Sequence, residues 1–339
     1  MRRSNTPMHK PAVHDPTPFL PLLDHLGRSA SRADGEWRDW RITRVVGAGN
    51  NLLFRTSSAA HDLAIKFTIR DERDRAGREY AALLALQQAG LAIAPKPLWL
   101  DRDRYTQPVV VQSWLEGTKL AAPPADDDEW QCLLEHYLTV HTVIPATIGT
   151  SLQPAALNMH SAADGLGRIR QQLAYISAPE QPPELREMIR QIERTAFPQW
   201  PAPPLALCRV DPNTLNFVRR PNAWASVDWE NSGWGDPAFE IVDLITHPAY
   251  AAVPAERCEW LVDAYCARCG DPGAAIRIRV YHRLMLVWWV ARLARMIYEV
   301  PRGGDQRLVT RPAGWMADIR EKYERYLKMA LIFIASSED

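Results

Sequence analysis

The stretch from Ala206 to His247 decides the fold, and it reads ALCRVDPNTLNFVRRPNAWASVDWENSGWGDPAFEIVDLITH. It holds Asp211 and Asn216 in a D-x-x-x-x-N spacing, and Asp228 follows after a short apolar run. Short β-type segments lead directly into both aspartates. Polar side chains at the ends of short buried strands usually meet a ligand, because the strands fix them rigidly. We therefore expect a functional site in this stretch.

The residue types at these three positions suit phosphoryl transfer. In a kinase-type site, one aspartate orients the attacking hydroxyl and takes its proton, while an asparagine and a second aspartate hold Mg²⁺ against the nucleotide phosphates. Carboxylate and amide oxygens are hard ligands of the kind that Mg²⁺ prefers. Asp211 is therefore the candidate catalytic base, and Asn216 and Asp228 are the candidate metal ligands. Because this spacing arises often by chance, the assignment depends on a nucleotide-binding region upstream.

Composition limits the class of protein. The chain has 339 residues, of which 47% are hydrophobic, so it can bury the core of one large or two moderate domains. A formal net charge of +0 favours neither nucleic acid nor an anionic membrane as a partner, and the apolar runs are shorter than the roughly 18 residues of a membrane span. The basic start lacks the apolar segment of a secretory signal. Because the five cysteines are also an odd set, we expect a cytoplasmic protein; the sequence leaves its oligomeric state open.

The first part of the chain predicts a small β-rich region. Residues 1–36 are rich in Pro, Arg, Ser and His, and within them Phe19–Leu26 is predicted as a short amphipathic helix. From Trp37 onwards, turn-type residues separate short apolar runs, which is typical of antiparallel strands. The first turn, Gly47–Asn51, permits positive φ and is either a phosphate-binding turn or an ordinary hairpin turn. The predicted strands are Trp40–Val46, Leu52–Ser57, Leu63–Arg70, Pro95–Asp101 and Pro108–Leu115.

The strand over Leu63–Arg70 carries Lys66 on the face opposite its large apolar side chains. A helix predicted over Arg75–Ala89 follows, and its Glu79 lies on the face that is expected to be buried, where a carboxylate needs a partner. Lys66 is the obvious partner, and a strand lysine paired with a helix glutamate positions the nucleotide phosphates in kinases. The alternatives are a solvent-facing Lys66 and a Glu79 that pairs with a neighbouring arginine.

The remainder of the chain is predicted to be mainly helical. Within the longest helix, large side chains from Tyr281 to Arg295 recur at helical spacing, which indicates either core packing or a substrate pocket. The predicted helices are Asp126–His141, Ser161–Ile176, Pro183–Ala196, Phe239–His247, Pro254–Cys269, Ala274–Tyr298 and Trp315–Ala335.

The order of these parts resembles the aminoglycoside phosphotransferase and choline kinase-like branch of the protein-kinase-like fold. The resemblance covers about residues 37–300, and its specific parts are VDPNTLNF and VDWENSGWGDPAFEIVDL. It implies an α+β bilobal fold, with a small five-stranded antiparallel N-lobe that carries one helix and a larger, mainly helical C-lobe. It also implies an N-terminal extension over 1–36, a nucleotide-binding N-lobe over 37–117 and a C-lobe over 118–339.

The resemblance assigns a role to each candidate residue. Asp211 becomes the catalytic base, and Asn216 and Asp228 become the Mg²⁺ ligands. Lys66, positioned by Glu79, holds the phosphates of ATP or of another nucleoside triphosphate. The other nucleotide contacts are assigned to the turn residues Gly47, Gly49 and Asn50 and to the hinge residues Gln112 and Trp114.

Two further positions bear on the site. The family usually has His-Gly or His-Asn before the catalytic aspartate, whereas this chain has Arg209-Val210. Arg209 is expected to pair with Asp228 or Glu230, or to contact a carboxylate or phosphate of the substrate. Asp236 is expected to brace the metal segment by capping the helix that follows it.

The leading functional hypothesis is an ATP- and Mg²⁺-dependent kinase that phosphorylates a hydroxyl of a small molecule, of the aminoglycoside, choline-like, amino acid or sugar type. In a eukaryotic-type protein kinase, Phe-Gly follows the metal aspartate and an A-P-E segment comes later. After Asp228 this chain has neither, which favours small-molecule substrates and makes an unusual protein kinase the third hypothesis. The alternative from another class is a catalytically weak, pseudokinase-like nucleotide-binding regulator, which the replacement of histidine by Arg209 supports.

The sequence leaves the charge of the substrate open. Arginines on the longest helix, Arg292 and Arg295, favour an anionic substrate. An ammonium group would instead suit an aromatic and acidic pocket. The side chains available for that pocket are Trp229, Trp234, Trp288, Trp289 and Glu230.

Overall fold

A computed structural model gives the structure of the chain, and it describes residues 17–28, 34–46, 50–221, 223–304 and 307–335. Gly47 and Gly49, which were predicted to cover the nucleotide phosphates, lie outside the described residues, as do residues 1–16. The described part covers the predicted strands and helices and every other candidate site residue.

The N-terminal sheet has six antiparallel strands. They are β1 (Gly35–Trp37), β2 (Trp40–Arg44), β3 (Leu52–Ser57), β4 (Asp62–Phe67), β5 (Pro97–Asp101) and β6 (Val109–Ser113). Their order across the sheet is β1-β2-β3-β4-β6-β5. The sequence predicted five strands, and the additional one is β1, which pairs with β2 through Trp37 and Trp40. Patterning missed β1 because it has three residues, mostly exposed, without alternation.

Each face of this sheet is covered by a helix. The helix α1 (Leu20–Arg28) confirms the predicted amphipathic helix, and its buried leucines join one apolar cluster with the large side chains of β4. The alternation of β4 places Lys66 on the opposite face. The helix α2 (Arg75–Gln88) contacts β5 and β6 there, so the lysine and the helix face each other.

The C-lobe is built around one long helix. Its helices are α3 (Asp127–Val140), α4 (Ala162–Leu173), α5 (Pro183–Arg194), α6 (Pro237–Thr246), α7 (Ala255–Arg268), α8 (Ala274–Glu299) and α9 (Trp315–Ala335). These confirm the predicted helices, with small differences at the ends. The helix α8 packs against α4, α6 and α9, because apolar side chains cover most of its circumference. Within the described ranges, no helix has the length and apolar character that crossing a membrane would require.

Short strands hold the stretch from Ala206 to His247 in place. They are β7 (Thr118–Lys119), β8 (Ala206–Cys208), β9 (Phe217–Arg219), β10 (Ala225–Ser226) and β11 (Gly233–Gly235). β8 pairs with β11, and β9 pairs with both β7 and β10. The predicted strands before Asp211 and Asp228 are thus confirmed as β8 and β10, and each pairing fixes the chain next to a candidate site residue.

Candidate active site

Lys66 of β4 and Glu79 of α2 form a buried ion pair. The Lys66 Nζ lies 2.8 Å from Glu79 Oε2, which confirms the predicted pairing. Gln112 Nε2 donates to the other Glu79 oxygen at 3.5 Å. Burial raises the pKa of Glu79 to about 7, and the Lys66 ammonium opposes that rise. The pair therefore joins the sheet to α2 at a point where neither group reaches bulk water.

Lys66 also contacts two carboxylates of the segment that follows β10. Its Nζ donates to Asp228 Oδ1 and lies 3.3 Å from Glu230 Oε2. Burial acts to lower the pKa of Lys66, but Asp228, Glu79 and Glu230 outweigh it and hold that pKa well above its usual value. The lysine is therefore a permanent cation that connects β4 and α2 to the candidate metal segment.

Glu230 completes this network on the side of the N-lobe. Arg75 Nη1 donates to Glu230 Oε1 at 2.5 Å, and Asn51 Nδ2 donates to Glu230 Oε2. Burial opposes ionisation of Glu230, but Lys66 and Arg75 hold its pKa below the ordinary value. Sequence reasoning missed this structural role of Glu230. Its position two residues after a metal-type aspartate was the available signal.

The aromatic and acidic pocket was one of two alternatives that the sequence left open for the substrate, and the residues named for it do not form it. Both oxygens of Glu230 are already bound within the protein. Trp229 is buried in a cluster with α2 residues, and Trp234 packs against that cluster. Trp288 and Trp289 belong instead to the C-lobe core around α8. These side chains therefore do not surround a common space.

The chain after β8 makes a strained turn that carries Asp211. Val210 and Asp211 have φ angles of 59° and 74°, in the left-handed region, which is costly for a β-branched residue. Glu240 Oε1 accepts hydrogen bonds from the N–H groups of Arg209 at 2.6 Å and Val210 at 2.8 Å. Asp243 Oδ2 accepts the N–H of Asp211 at 3.1 Å. The helix α6, which carries both acceptors, therefore fixes this backbone.

Asp211 lies at the edge of the protein interior, with 36% of its side chain exposed. Burial raises the pKa of Asp211, and the Arg209 charge opposes that rise. Its Oδ1 accepts the N–H of Asn213 at 3.4 Å, and His247 Nε2 lies 3.7 Å away. Burial, with the charges of Arg209 and Lys322, lowers the pKa of His247 to about 3. The imidazole is thus neutral near neutral pH, and Asp211 has no charged histidine partner.

The two predicted metal ligands lie on adjacent segments, next to the pairing of β9 with β10. The Val227 N–H, next to Asp228, donates to the carbonyl oxygen of Asn216 at 2.9 Å. The side-chain nitrogen of Asn216 donates to the carbonyl oxygen of Asp211 at 3.3 Å, which leaves the amide oxygen for a cation. A partly exposed carboxylate and an amide oxygen next to Asp211 form a donor set that fits Mg²⁺.

Arg209 occupies a different place from the one predicted. Its guanidinium is buried, donates to the carbonyl oxygen of Val227 at 3.4 Å and lies 4.8 Å from the centre of the Phe217 ring. The predicted pairing with Asp228 or Glu230 is absent from the described contacts. Because only 2% of Arg209 is exposed, it does not reach a substrate either. Through these contacts, Arg209 packs against the segment before Asp228 and supports it.

Asp236 braces the metal segment as predicted. Its side chain accepts the N–H of Ala238 at 2.9 Å and so caps α6. Arg277 Nε donates to the same carboxylate at 2.7 Å, and the Tyr281 hydroxyl donates at 2.9 Å. The cap is therefore anchored to α8.

The remaining candidate nucleotide contacts lie along the edge of the N-lobe. Gln112 is near the end of β6 and is buried next to Glu79. The N–H of Trp114, just beyond β6, donates to the carbonyl oxygen of Asp62 at 2.9 Å. The carbonyl oxygen of Asn50 accepts the N–H of Leu308 at 3.0 Å. The segment between α8 and α9 therefore reaches back to the predicted phosphate turn, a contact that no sequence pattern indicated.

This order of elements and polar groups is that of a phosphotransferase, and residues 42–277 match the model of the phosphotransferase enzyme family. The chain belongs to this family. It is therefore a small-molecule kinase, as the resemblance to aminoglycoside phosphotransferases and choline kinases implied. No curated protein is similar enough in sequence to match the chain.

Solved structures of the family share its fold. A Ralstonia eutropha protein assigned as an aminoglycoside phosphotransferase is 15% identical, with a TM-score of 0.66 over 95% of this chain and 98% of its own. Spectinomycin phosphotransferase APH(9)-Ia, in complex with ADP and spectinomycin, is 10% identical, with a TM-score of 0.57 over 92% and 97%. Choline kinase LicA from Streptococcus pneumoniae is 14% identical, with a TM-score of 0.56 over 87% and 93%. At such low identity these likenesses establish the bilobal protein-kinase-like fold.

Proposed function

We propose that this phosphotransferase moves the γ-phosphate of ATP, with Mg²⁺, to a hydroxyl group of a small molecule. The observation that carries the proposal is the buried Lys66, which contacts Glu79 of α2 and Asp228 of the metal segment together. In kinases, a lysine so placed binds the nucleotide phosphates, and an aspartate so placed binds the metal. Asp211 and Asn216 supply the remaining polar groups of such a site.

The nucleotide is proposed to bind against the N-lobe, which we assign to residues 37–117. Lys66 would exchange its contact with Asp228 for a nucleotide phosphate, while Glu79 keeps the ammonium in place. The turn residues Gly47, Gly49 and Asn50 would cover the phosphates, and Gln112 and Trp114 would border the adenine. The complex of the spectinomycin phosphotransferase with ADP supports a nucleotide in this fold.

Asp228 and Asn216 are the residues proposed to hold Mg²⁺. Held there, the ion would supply positive charge that neutralises the nucleotide phosphates. Asp228 sits at a left-handed φ of 64°, and such strain is commonly kept where a side chain must point at a ligand. The hydrogen bond from the Val227 N–H to the carbonyl oxygen of Asn216 joins the two segments, which supports a shared metal site.

Asp211 is proposed to orient the acceptor hydroxyl and to take its proton. The hydroxyl oxygen forms a bond to the γ-phosphorus while the bond from that phosphorus to the β–γ bridging oxygen breaks. ADP leaves, and the proton passes to the Asp211 carboxylate. Burial raises the pKa of Asp211, which suits a group that accepts a proton, and its partial exposure leaves room for an acceptor in the C-lobe, which we assign to residues 118–339.

No observation supports the alternative hypothesis that the chain is a catalytically weak regulator. It was supported by Arg209, but that side chain is buried behind the metal segment and leaves the Asp211 carboxylate accessible. A regulator is expected to lose at least one phosphate or metal ligand. The chain keeps Lys66, Glu79, Asn216 and Asp228.

A thermal-shift titration tests the proposal. ATP and its non-hydrolysable analogue are added with and without Mg²⁺ to the wild type, to Asp228→Asn and to Asp103→Asn, an exposed matched control. We expect a Mg²⁺-dependent rise in Tm for the wild type and the control, and its loss in Asp228→Asn. No rise in any protein would contradict the nucleotide site, and an unchanged Mg²⁺ dependence in Asp228→Asn would contradict the metal assignment.

A further inference from the structure

We propose that the phosphoryl acceptor carries an anionic group, a carboxylate or a phosphate, beside the hydroxyl that is phosphorylated, and that Arg292 of α8 binds this group. This inference rests on the proposed function and concerns the acceptor side of the same cleft. It separates this chain from aminoglycoside and choline kinases, whose named substrates carry amino or ammonium groups.

Arg292 is a half-buried guanidinium in a strongly cationic environment. In the part of the chain that the structure describes, it makes no hydrogen bond or ion pair. Burial, followed by the charges of Arg295, Arg307 and Arg311, lowers the pKa of Arg292 to about 10. Glu299 is the acidic side chain that acts on it, yet Glu299 already pairs with Arg295 at 2.7 Å. Binding of an anion would therefore stabilise the Arg292 guanidinium.

Arg295, in contrast, is engaged within the protein. Besides its ion pair with Glu299, its guanidinium stacks at 3.2 Å on the Tyr175 ring, and its Nη1 donates to Gln172 at 3.4 Å. These contacts fix Arg295 against α4. Of the two arginines that the sequence singled out on α8, Arg292 is therefore the one available to a ligand.

Two series of contacts connect the surroundings of Arg292 to the candidate active site. On one side, Trp289 lies one turn before it on α8, the Trp289 ring is 5.7 Å from the His247 ring, and His247 is 3.7 Å from the Asp211 carboxylate. On the other side, Leu308 donates its N–H to Asn50 in the phosphate turn. The arginines that flank Leu308 in sequence are the ones that act on Arg292. Arg292 is thus linked to the candidate catalytic base through Trp289 and His247, and its cationic neighbours are linked to the phosphate turn through Leu308.

The neighbouring indole groups also favour a ligand that is rich in acceptors. Trp288 Nε1 and Trp289 Nε1 are buried and have no hydrogen-bond acceptor among the described residues. Both lie within one turn of Arg292, and a buried donor without an acceptor is unfavourable. Carboxylate or phosphate oxygens would satisfy these donors, whereas an ammonium group would add donors and positive charge.

Four small alcohols of similar size distinguish the possible charges. Glycerate, glycerol 3-phosphate, glycerol and ethanolamine are offered as acceptors with ATP and Mg²⁺ to the wild type, to Arg292→Gln and to Arg190→Gln, an exposed arginine of α5. We expect the wild type and the control to prefer an anionic probe over glycerol by about tenfold or more in kcat/KM. Arg292→Gln should lose this preference without a change in the KM for ATP. The relative rates with glycerate and glycerol 3-phosphate identify the anion.

A preference of the wild type for glycerol or ethanolamine would overturn the proposal, and so would an anion preference that survives in Arg292→Gln. If none of the probes is phosphorylated, the binding of anions is measured in the absence of nucleotide. Malonate and inorganic phosphate should raise the Tm of the wild type and of Arg190→Gln more than that of Arg292→Gln, and equal shifts would overturn the proposal. Failure of ATP and Mg²⁺ to shift the Tm would contradict the proposed function. The test with malonate and phosphate does not depend on nucleotide binding and would still be valid.

Discussion

Glu240 Oε1 accepts the N–H of Val210 at 2.8 Å and holds this β-branched residue at a φ of 59°. The other oxygen of Glu240 bonds to His141 Nε2 at 2.7 Å. Because valine disfavours the left-handed region, its conformation persists only while such bonds hold it. The helix α6 thereby sets the position of Asp211, although no residue of α6 needs to touch a substrate.

Glu240→Leu is expected to lower kcat strongly while the KM for ATP stays near the wild-type value. The leucine cannot accept the N–H groups of Arg209 and Val210, so the turn before Asp211 relaxes. Folding should weaken by about 2–5 kcal/mol, because buried donors lose a charged acceptor. Glu240→Gln keeps one acceptor oxygen, so its kcat and its stability should lie between those of the wild type and of Glu240→Leu. Steady-state kinetics and urea unfolding measure both effects, and a wild-type kcat in Glu240→Leu would contradict this positioning role.

Asp211→Asn is expected to lower turnover by about 100- to 10,000-fold, the range typical of a lost general base. The variant keeps the size of the side chain and an acceptor for the Asn213 N–H, so the loop should hold its shape. ATP with Mg²⁺ should therefore still raise its Tm as in the wild type. Retained turnover would exclude Asp211 as the base, and loss of nucleotide binding would point to a structural role instead.

Lys66→Met is expected to abolish turnover and to destabilise the fold by about 3–5 kcal/mol, because Glu79 and Glu230 would lose their common buried cation. The double variant Lys66→Met with Glu79→Gln removes one of those carboxylates and should recover part of the stability, but no activity. Lys119→Met, at an exposed lysine, is the control. Urea unfolding decides: equal stability of Lys66→Met and the wild type would contradict the network as described.

The sequence predicted those parts of the site that depend on local pattern. The alternation of β4 placed Lys66 on the face towards α2, and helical spacing placed Glu79 opposite it, so their pairing followed. The D-P-A-F context likewise indicated the cap at Asp236. These predictions held because neighbours along one strand or one helix determine which face a side chain occupies.

The parts that were missed depend on contacts between distant segments. Whether Glu230 faces a substrate or Lys66 is decided by Arg75, 155 positions earlier, and no periodicity encodes that choice. The same holds for Glu240, because its acceptor role depends on a strained turn rather than on a hydrophobic pattern. The prediction for Arg209 was wrong because no pattern in the sequence indicates that its guanidinium is buried against Phe217.

Arg209→His is expected to keep turnover near or above the wild-type level. The guanidinium contacts a backbone carbonyl oxygen and the Phe217 ring, and an imidazole also carries an N–H donor. Folding should weaken by about 1–3 kcal/mol, because the shorter side chain leaves space in a buried position. Arg209→Leu lacks any donor and is the comparison. A large rise in the acceptor KM of Arg209→His would show that this residue reaches the substrate, contrary to its burial.

His136 should make the folded state sensitive to acid. Its ring nitrogens lie 3.3 Å from the carbonyl oxygen of Trp224 and 3.1 Å from Ser226 Oγ, at the strand that leads to Asp228. Burial, with a smaller effect of the Arg209 charge, lowers the pKa of His136 from 6.5 to about 4. Between these values the unfolded chain binds a proton that the folded chain does not. The contribution of His136 is therefore complete above the upper value and is lost as the pH falls through the window.

His136→Asn, which cannot titrate there, is expected to show a shallower loss of stability in acid than the wild type. The difference should approach about 1.4 kcal/mol per pH unit within the window, the slope for one proton. Urea unfolding at about pH 7.5 and about pH 5 measures it, with His160→Asn as the control because the His160 side chain is exposed. If His136→Asn and the wild type lose equal free energy of unfolding, the imidazole of His136 is protonated in the folded state, and its burial does not control the response to acid.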